Sequence, residues 1–180
     1  KTQKSKFMKL IISIIFCLII TSNIFPQFYP NGYNYQTLPD NRRPNDIKFI
    51  NSKTGWVILG DNENYGQPSI FKTTNRGQNW YLQTSDFNLF NDGLVWGNTF
   101  LNFINENTGW VSFGYKYSEN SVYYPIYKTT NGGANWQNVF TYVNDNSRNG
   151  WLKFVYANTG YMYNLSGGKI CKTTDSGMDW

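Results

Sequence analysis

The side chains that could do acid–base chemistry in this 180-residue chain are carboxylates, because the sequence contains no histidine. Without imidazole the chain lacks the commonest general base and metal ligand, and Ser–His or Cys–His nucleophilic pairs are excluded. Hydrolysis of a glycosidic bond would need two carboxylates about 5 to 10 Å apart. Outside three repeated Lys-Thr-Thr stretches the acidic residues are Asp40, Asp46, Asp61, Glu63, Asp86, Asp92, Glu106, Glu119 and Asp145, and no pair recurs at a distinctive spacing.

Metal and phosphate chemistry find equally little support in the sequence. The stretch 175–177 reads Asp-Ser-Gly, but one carboxylate is too few for a calcium site. The Gly pairs at 132–133 and 167–168 are not followed by the Lys-Ser or Lys-Thr of a phosphate-binding loop. We therefore expect no metal, no cofactor and no catalytic residue in this chain.

Three nine-residue stretches share the order Lys-Thr-Thr, Asn or Asp, any residue, Gly, two residues and Trp. Thr suits a strand, Asn or Asp can start a turn by bonding its own backbone, and Gly supplies a positive φ. Each stretch therefore predicts a β-hairpin tip whose Trp begins the return strand. The structural residues of the three tips are Thr73, Asn75, Gly77 and Trp80; Thr129, Asn131, Gly133 and Trp136; and Thr173, Asp175, Gly177 and Trp180.

A second pattern precedes each of these turns. A Phe-containing apolar stretch runs into Thr, Gly and an aromatic residue, and Gly109 follows Gly55 by 54 residues while Gly160 follows Gly109 by 51. In the first repeat the pattern predicts strands at 47–51, 56–60, 69–74 and 79–84. We expect the framework of each repeat to include Gly55 and Trp56, Gly109 and Trp110, and Gly160 and Tyr161.

Four short strands in a unit of about fifty residues are typical of a β-propeller blade. The sequence therefore predicts an all-β fold with about three four-stranded blades, at residues 47–85, 101–142 and 152–180. Because closed propellers have about four to eight blades, we expect an incomplete ring and a longer natural protein. Seven blades at this pitch would require about 350 residues, and an open solenoid of three repeats is the alternative.

The repeated turn resembles the Asp-box of BNR-repeat propellers, whose pattern is Ser or Thr, any residue, Asp, any residue, Gly, two residues and Trp. Together with the Phe strand and Thr-Gly-Trp, it is similar to the propeller domain of photosystem II assembly-factor-like proteins, a domain type also found in secreted bacterial proteins. The resemblance covers about residues 33–180. Asn75 and Asn131 replace the Asp of the pattern, and Asn can form the same turn.

The resemblance also implies an enzymatic alternative, because Asp-box propellers include sialidases and some glucan hydrolases. A sialidase-like site would use an arginine cluster to bind the substrate carboxylate, whereas this chain has only Arg42, Arg43, Arg76 and Arg148. We therefore predict a non-catalytic module that binds an extracellular protein or a glycan. The alternative is a secreted glycoside hydrolase whose active site lies mostly in further blades.

The first 27 residues predict a secretory signal peptide. Four lysines precede an eleven-residue run, 10–20, that is apolar apart from Ser13. A membrane-spanning helix would need about twenty apolar residues, so we expect export to the periplasm, cell surface or medium and no membrane span in the mature chain. Residues 28–46 form a lead segment, in which Asn34 to Leu38 resembles the strands after the boxes and predicts a ring-closing strand.

The net charge of +5 belongs mostly to this leader. Removing its four lysines leaves 12 basic and 11 acidic residues, a net charge of +1, so the composition does not indicate a nucleic-acid partner. One cysteine, Cys171, remains after the leader, at the strand position held by Phe71 and Tyr127 in the other repeats. We expect it to be a small buried apolar residue, and the sequence has no disulfide framework.

Three connecting stretches differ between the repeats: 85–99 and 115–124 carry many aromatic residues, whereas 141–150 is nearly all polar. We interpret 85–99, 115–124 and 141–150 as variable loops, which is where binding sites arise on a fixed scaffold. Their Tyr and Trp side chains could stack on a sugar or a peptide, or they could pack locally against neighbouring blades. The sequence leaves both interpretations open.

Overall fold

The computed structural model describes residues 38–39, 41–60, 68–84, 87, 94–118, 121–144, 149–164 and 168–180. The predicted signal peptide and ring-closing strand lie outside these residues, apart from Leu38. The described part folds into β-strands, whose bounds are β1 (Arg43–Phe49), β2 (Gly55–Gly60), β3 (Ser69–Thr73), β4 (Tyr81–Thr84), β5 (Leu94–Phe103), β6 (Gly109–Ser118), β7 (Ser121–Thr129), β8 (Gln137–Asn144), β9 (Asn149–Phe154), β10 (Gly160–Asn164) and β11 (Lys169–Thr173).

The strands form three successive antiparallel sheets, each a meander of strands that are consecutive in the chain. Sheet 1 has the order β1-β2-β3-β4, sheet 2 the order β5-β6-β7-β8, and sheet 3 contains β9, β10 and β11 with β10 in the centre. The all-β prediction with one sheet per repeat is confirmed. Sheet 3 has three described strands where a four-stranded blade was predicted.

The three sheets converge on their first strands. β1 contacts β5, and β5 contacts β9, whereas the fourth strands β4 and β8 lie at the opposite edges of their sheets. We call the edge formed by β1, β5 and β9 the inner edge. Side chains that project from these strands can therefore come from three sheets to one place.

Several strands are longer than the sequence predicted. The interpretation of 94–99, 115–118, 121–124, 141–144 and 149–150 as loops was wrong. β5 already begins at Leu94, and β6 and β7 pair through to Ser118 and Ser121, with Tyr115 opposite Tyr123. Tyrosine and valine favour strands because they pack on a pleated surface. These segments therefore extend β5, β6 and β7 of sheet 2.

The contact between sheets 1 and 2 is organised by Trp56. Its ring stacks on that of Phe103 with 3.7 Å between the centroids and 5° between the planes. Its Nε1–H donates a 2.8 Å hydrogen bond to the carbonyl oxygen of Gly132 in the second box turn, and the Lys72 ammonium lies 4.9 Å from the ring centroid. One fully buried side chain thus contacts a strand and a turn of sheet 2 and a cation of its own sheet 1.

Trp110 repeats this arrangement between sheets 2 and 3. It stacks on Phe154 with centroids 3.8 Å apart, and its Nε1–H donates to the Ser176 carbonyl oxygen at 3.0 Å. The Lys128 ammonium lies 5.5 Å from its ring. Because both interfaces use the same contacts, we call this arrangement the tryptophan lock.

The glycine before each locking aromatic residue has a steric role. The Phe103 ring lies directly over Gly109, so that a Cβ on this glycine would be 2.5 Å from Phe103 Cδ1. Gly55 and Gly160 lie under Phe49 and Phe154 in the same way, with Cβ distances of 2.7 Å in both cases. The Thr-Gly-aromatic pattern therefore makes room for the phenylalanine on which the preceding sheet stacks its tryptophan.

Replacing Trp110 with Phe should destabilise the fold by about 1–3 kcal/mol, because the Ser176 carbonyl loses its buried hydrogen-bond donor. Trp151→Phe is the matched control, since Trp151 is 43% exposed and its replacement should change stability by about 0.5 kcal/mol or less. Urea unfolding of both variants checks the prediction. Equal unfolding midpoints would show that the lock does not stabilise the interface.

Candidate interaction site

The box turns use their polar side chains within the turn itself. In the first box the Thr73 hydroxyl donates to Asn75 Oδ1 at 3.0 Å and accepts from the Gly77 N–H at 2.9 Å. Asn75 Oδ1 also accepts from the Asn79 N–H at 2.9 Å. Gly77 has φ of +82°, which is the left-handed conformation that glycine adopts most readily.

The second and third boxes repeat these bonds. Thr129 donates to Asn131 at 3.0 Å, and Thr173 donates to Asp175 at 2.7 Å. Each threonine also accepts from the glycine four residues later, at 3.0 Å in both turns. Two box tryptophans also donate indole N–H hydrogen bonds within their own turns. Trp136 donates to the Gly133 carbonyl at 2.9 Å, and Trp180 donates to the Gly177 carbonyl at 3.2 Å.

Asp175 is the carboxylate of the third box, and its environment favours the ionised form. The backbone N–H of Asp179, the Thr173 hydroxyl and the backbone N–H of Met178 all donate to it, which lowers its pKa below the ordinary value of 3.8. These hydrogen bonds require only an oxygen that accepts them, so the amide oxygen of an asparagine accepts them in the other two boxes. The box oxygens are therefore occupied by the turn.

The inner edge brings polar side chains from several sheets together. Asp46 on β1 accepts from the Leu101 N–H of β5 through Oδ2 at 2.9 Å. The buried Asn102 on β5 accepts from the Phe154 N–H of β9 through Oδ1 at 2.8 Å. Each sheet thus fixes the backbone of the next one along this edge.

Two lysines lie on strands of the same edge. Lys48 pairs with Trp56 in sheet 1, and Lys153 pairs with Tyr161 in sheet 3, so both lysines hold the same position in their repeats. Burial and the adjacent Lys48 ammonium lower the pKa of Lys153, whereas the Asp46 carboxylate opposes this shift. Sequence reasoning missed this pair, although the equivalent positions Lys48, Asn102 and Lys153 in the three Phe strands could have indicated it.

The structure describes two of the nine acidic residues outside the boxes, and both are engaged. Asp46 binds backbone N–H groups through both oxygens. Glu106 Oε1 accepts from Asn51 at 3.3 Å and from Thr54 at 3.4 Å, so it connects the turns of sheets 1 and 2. The other seven acidic residues lie outside the described part of the chain.

One face of sheet 3 is exposed although the equivalent positions in the other sheets are buried. Ile170 is 67% exposed, whereas Ile70 and Ile126 are 0% and 1% exposed. Tyr161 is only half-buried, although Trp56 and Trp110 at its position are fully buried. This face therefore has the composition of a sheet-packing surface, and its exposure alone does not indicate a ligand site.

Two aromatic residues of the stretches interpreted as variable loops pack into the core. Phe87 is buried against Phe113, Tyr127 and Trp136, and its carbonyl accepts a 2.9 Å hydrogen bond from the Tyr127 hydroxyl. Tyr124 is buried as well. For these side chains the structure favours local packing over ligand stacking.

The surroundings of Cys171 indicate a structural role. Cys171 is a free, half-buried thiol packed against the apolar cluster between sheets 2 and 3. Within the described residues, no group of three or more Cys, Asp or Glu side chains is arranged to hold a metal ion. The same part of the chain has no helix that is long and apolar enough to cross a membrane.

Comparison with solved structures identifies the fold. The chain is similar to a structure described as YCF48 bound to D1 peptide, with a TM-score of 0.58 and 21% sequence identity. The match covers 87% of this chain and 46% of the other, so this chain spans about half of that protein's length. At this identity the likeness shows the fold alone, namely antiparallel sheets that match part of the YCF48 β-propeller. No protein-family profile and no curated protein matches the sequence.

Replacing Thr129 with Val should cost about 1–3 kcal/mol of stability, because the Gly133 N–H and the Asn131 side chain lose a buried partner. Thr130→Val is the matched control at the next residue, which is exposed, and it should change stability by about 0.5 kcal/mol or less. Chemical denaturation measures both. If Thr129→Val left the free energy of unfolding unchanged, the hydroxyl would not stabilise the turn.

Replacing Asp175 with Asn should change how stability depends on pH. The folded-state pKa of Asp175 is lowered, so its carboxylate contributes stability above pH 3.8 that is lost as the pH falls through the lower folded value. The asparagine variant lacks this contribution at every pH. Urea midpoints of the two proteins should therefore differ most near pH 6 and converge toward pH 2. A difference that is independent of pH would contradict this account.

Proposed function

We propose that this chain is an exported, non-catalytic β-propeller module that binds a protein partner at the inner edge formed by β1, β5 and β9. The observation that carries the proposal is the convergence of polar and charged side chains from three sheets on this edge. Asp46, Lys48, Asn102 and Lys153 lie on the first strands there. The faces between the sheets, by contrast, are filled by apolar clusters and tryptophan locks.

The arrangement of the polar groups favours binding over catalysis. The box oxygens are occupied within their turns, and the described carboxylates Asp46 and Glu106 each bind groups of a neighbouring sheet. A glycoside hydrolase needs a pair of carboxylates that face a substrate. An edge with two ammonium groups instead provides hydrogen-bond donors and positive charge for a partner's acceptors.

The similar solved structure supports a polypeptide as the partner class. YCF48 was solved bound to a D1 peptide, so a propeller with sheets of this kind can bind a peptide. The strands of the inner edge carry the ammonium groups of Lys48 and Lys153 as well as the exposed rings of Phe49 and Trp151. The ammonium donors suit the carbonyl and carboxylate oxygens of a peptide. Export is proposed from the charged and apolar leader at residues 1–20.

Affinity capture with charge-matched variants tests the proposed function. The tagged wild-type protein should capture a partner from the exported fraction of the cells that make it, and the Lys48→Gln/Lys153→Gln double variant should lose that partner. The Lys169→Gln/Lys172→Gln variant removes the same charge from β11 and should retain it. Equal capture by all three proteins, or release of reducing sugar from polysaccharides by the wild type, would overturn the proposal.

A further inference from the structure

Each tryptophan lock joins two halves that belong to different sheets. In the first lock the stacking half is Trp56 of sheet 1, and the receiving half is the Phe103 ring and the Gly132 carbonyl of sheet 2. Sheet 2 in turn supplies a stacking half, Trp110, to sheet 3. Within the described residues this leaves one stacking half, on sheet 3, and one receiving half, on sheet 1, without a partner.

The unpartnered stacking half includes Tyr161 and Ile170. Tyr161 holds the position of the fully buried Trp56 and Trp110, but it is only half-buried and has no hydrogen-bond or ring partner among the described residues. Ile170 is largely exposed, although Ile126 at its position packs in the cluster between sheets 2 and 3. A phenol ring can stack on phenylalanine as an indole does, and its hydroxyl can donate to a carbonyl.

The unpartnered receiving half is on β1 of sheet 1. Phe49 is 39% exposed, whereas Phe103 and Phe154 at its position are 3% and 1% exposed beneath the stacked indoles. Ile47 is 54% exposed, whereas Leu101 at its position is 5% exposed. Among the described residues no ring stacks flat on Phe49. The side of this ring that receives an indole in the other sheets is therefore open.

The first box turn presents the carbonyl that the receiving half needs. Arg76 has φ of +66°, close to the +72° of Gly132 and the +73° of Ser176, whose carbonyls accept the indole N–H groups. The Arg76 N–H donates to the Lys53 carbonyl at 2.9 Å, as the Gly132 N–H donates to the Asn107 carbonyl at 2.8 Å. The same turn therefore orients the Arg76 carbonyl as it orients those that complete a lock.

The rest of this face of sheet 1 is already covered. Val57, Leu59 and Phe71 are buried, with Leu38 packed against them. The open area is thus confined to β1. In the covered interfaces the first strand of a sheet is the one that meets the preceding sheet, since β5 contacts β1 and β2, and β9 contacts β5 and β6. The open part of sheet 1 is therefore the part that a lock uses.

We propose that two copies of this chain associate head to tail, with Tyr161 of one copy stacked on Phe49 of the other. The Tyr161 hydroxyl donates to the Arg76 carbonyl, and Ile170 packs against Ile47. A second copy is the occupant because this chain carries both halves, so the surface that one half requires is the surface that the other half presents.

The contact is heterologous, because it joins different surfaces of the two copies. Two copies that make it twice form a ring of six sheets, three from each copy, and closed propellers have about four to eight blades. We therefore expect a dimer. The association uses other side chains than the proposed peptide site and does not depend on that function.

Sedimentation velocity of the purified protein and of two charged variants tests this contact. The wild type should sediment as a dimer. Ile170→Glu disables only the stacking half and Ile47→Glu only the receiving half, so each variant alone should be monomeric. An equimolar mixture of the two variants should again contain dimers, because the intact half of one variant meets the intact half of the other.

Met178→Glu is the matched control. Met178 is exposed, and Ala134 at its position is exposed even though the second box turn takes part in a lock. This variant should remain dimeric, and circular dichroism should show wild-type strand content in all three variants, because each substituted side chain is exposed. A wild type that is monomeric at about 100 μM, where a contact with micromolar Kd is populated, would overturn the proposal. A variant mixture that stays monomeric, or a dimer of either variant alone, would do the same.

Discussion

The described structure depends on one aromatic contact that is made twice. Trp56 and Trp110 each place an indole flat on a phenylalanine of the next sheet and donate a hydrogen bond to that sheet's box turn. The stack buries a large apolar surface, and the indole N–H hydrogen bond fixes the position of one sheet relative to the next. Because both ends of the indole are used, two sheets can meet in one register only.

This contact explains why the repeated motif elements of the three repeats occur together. The glycine before the aromatic residue leaves room for the phenylalanine ring, and the box turn supplies the carbonyl that the indole needs. A turn can present that carbonyl reliably only if its own backbone is fixed, which the threonine and the Asn or Asp side chains achieve. The polar residues of the boxes are therefore part of the packing between sheets.

In the described part of the chain, the box turns and the carboxylates leave few of their polar groups available for a partner. Oxygens in the boxes and the carboxylates of Asp46 and Glu106 bind the protein itself. At the inner edge Lys48 and Lys153 occupy equivalent positions on β1 and β9, the strands that contact β5. The framework of the fold and its candidate site thus use different residues of the same strands.

The sequence alone determined the repeat, its turns and the all-β class, because those depend on local chemistry: Thr, Asn or Asp, Gly and Trp at fixed spacing allow few backbone paths. It also predicted Trp56 and Trp110 as framework positions. It could not show that 94–99 and 115–124 extend strands, because the tyrosines there suit a strand or a loop until a partner strand is present. Nor could it bring Lys48 to Lys153. These residues are 105 positions apart, and only the convergence of β1, β5 and β9, enforced by the tryptophan locks, places them on one edge.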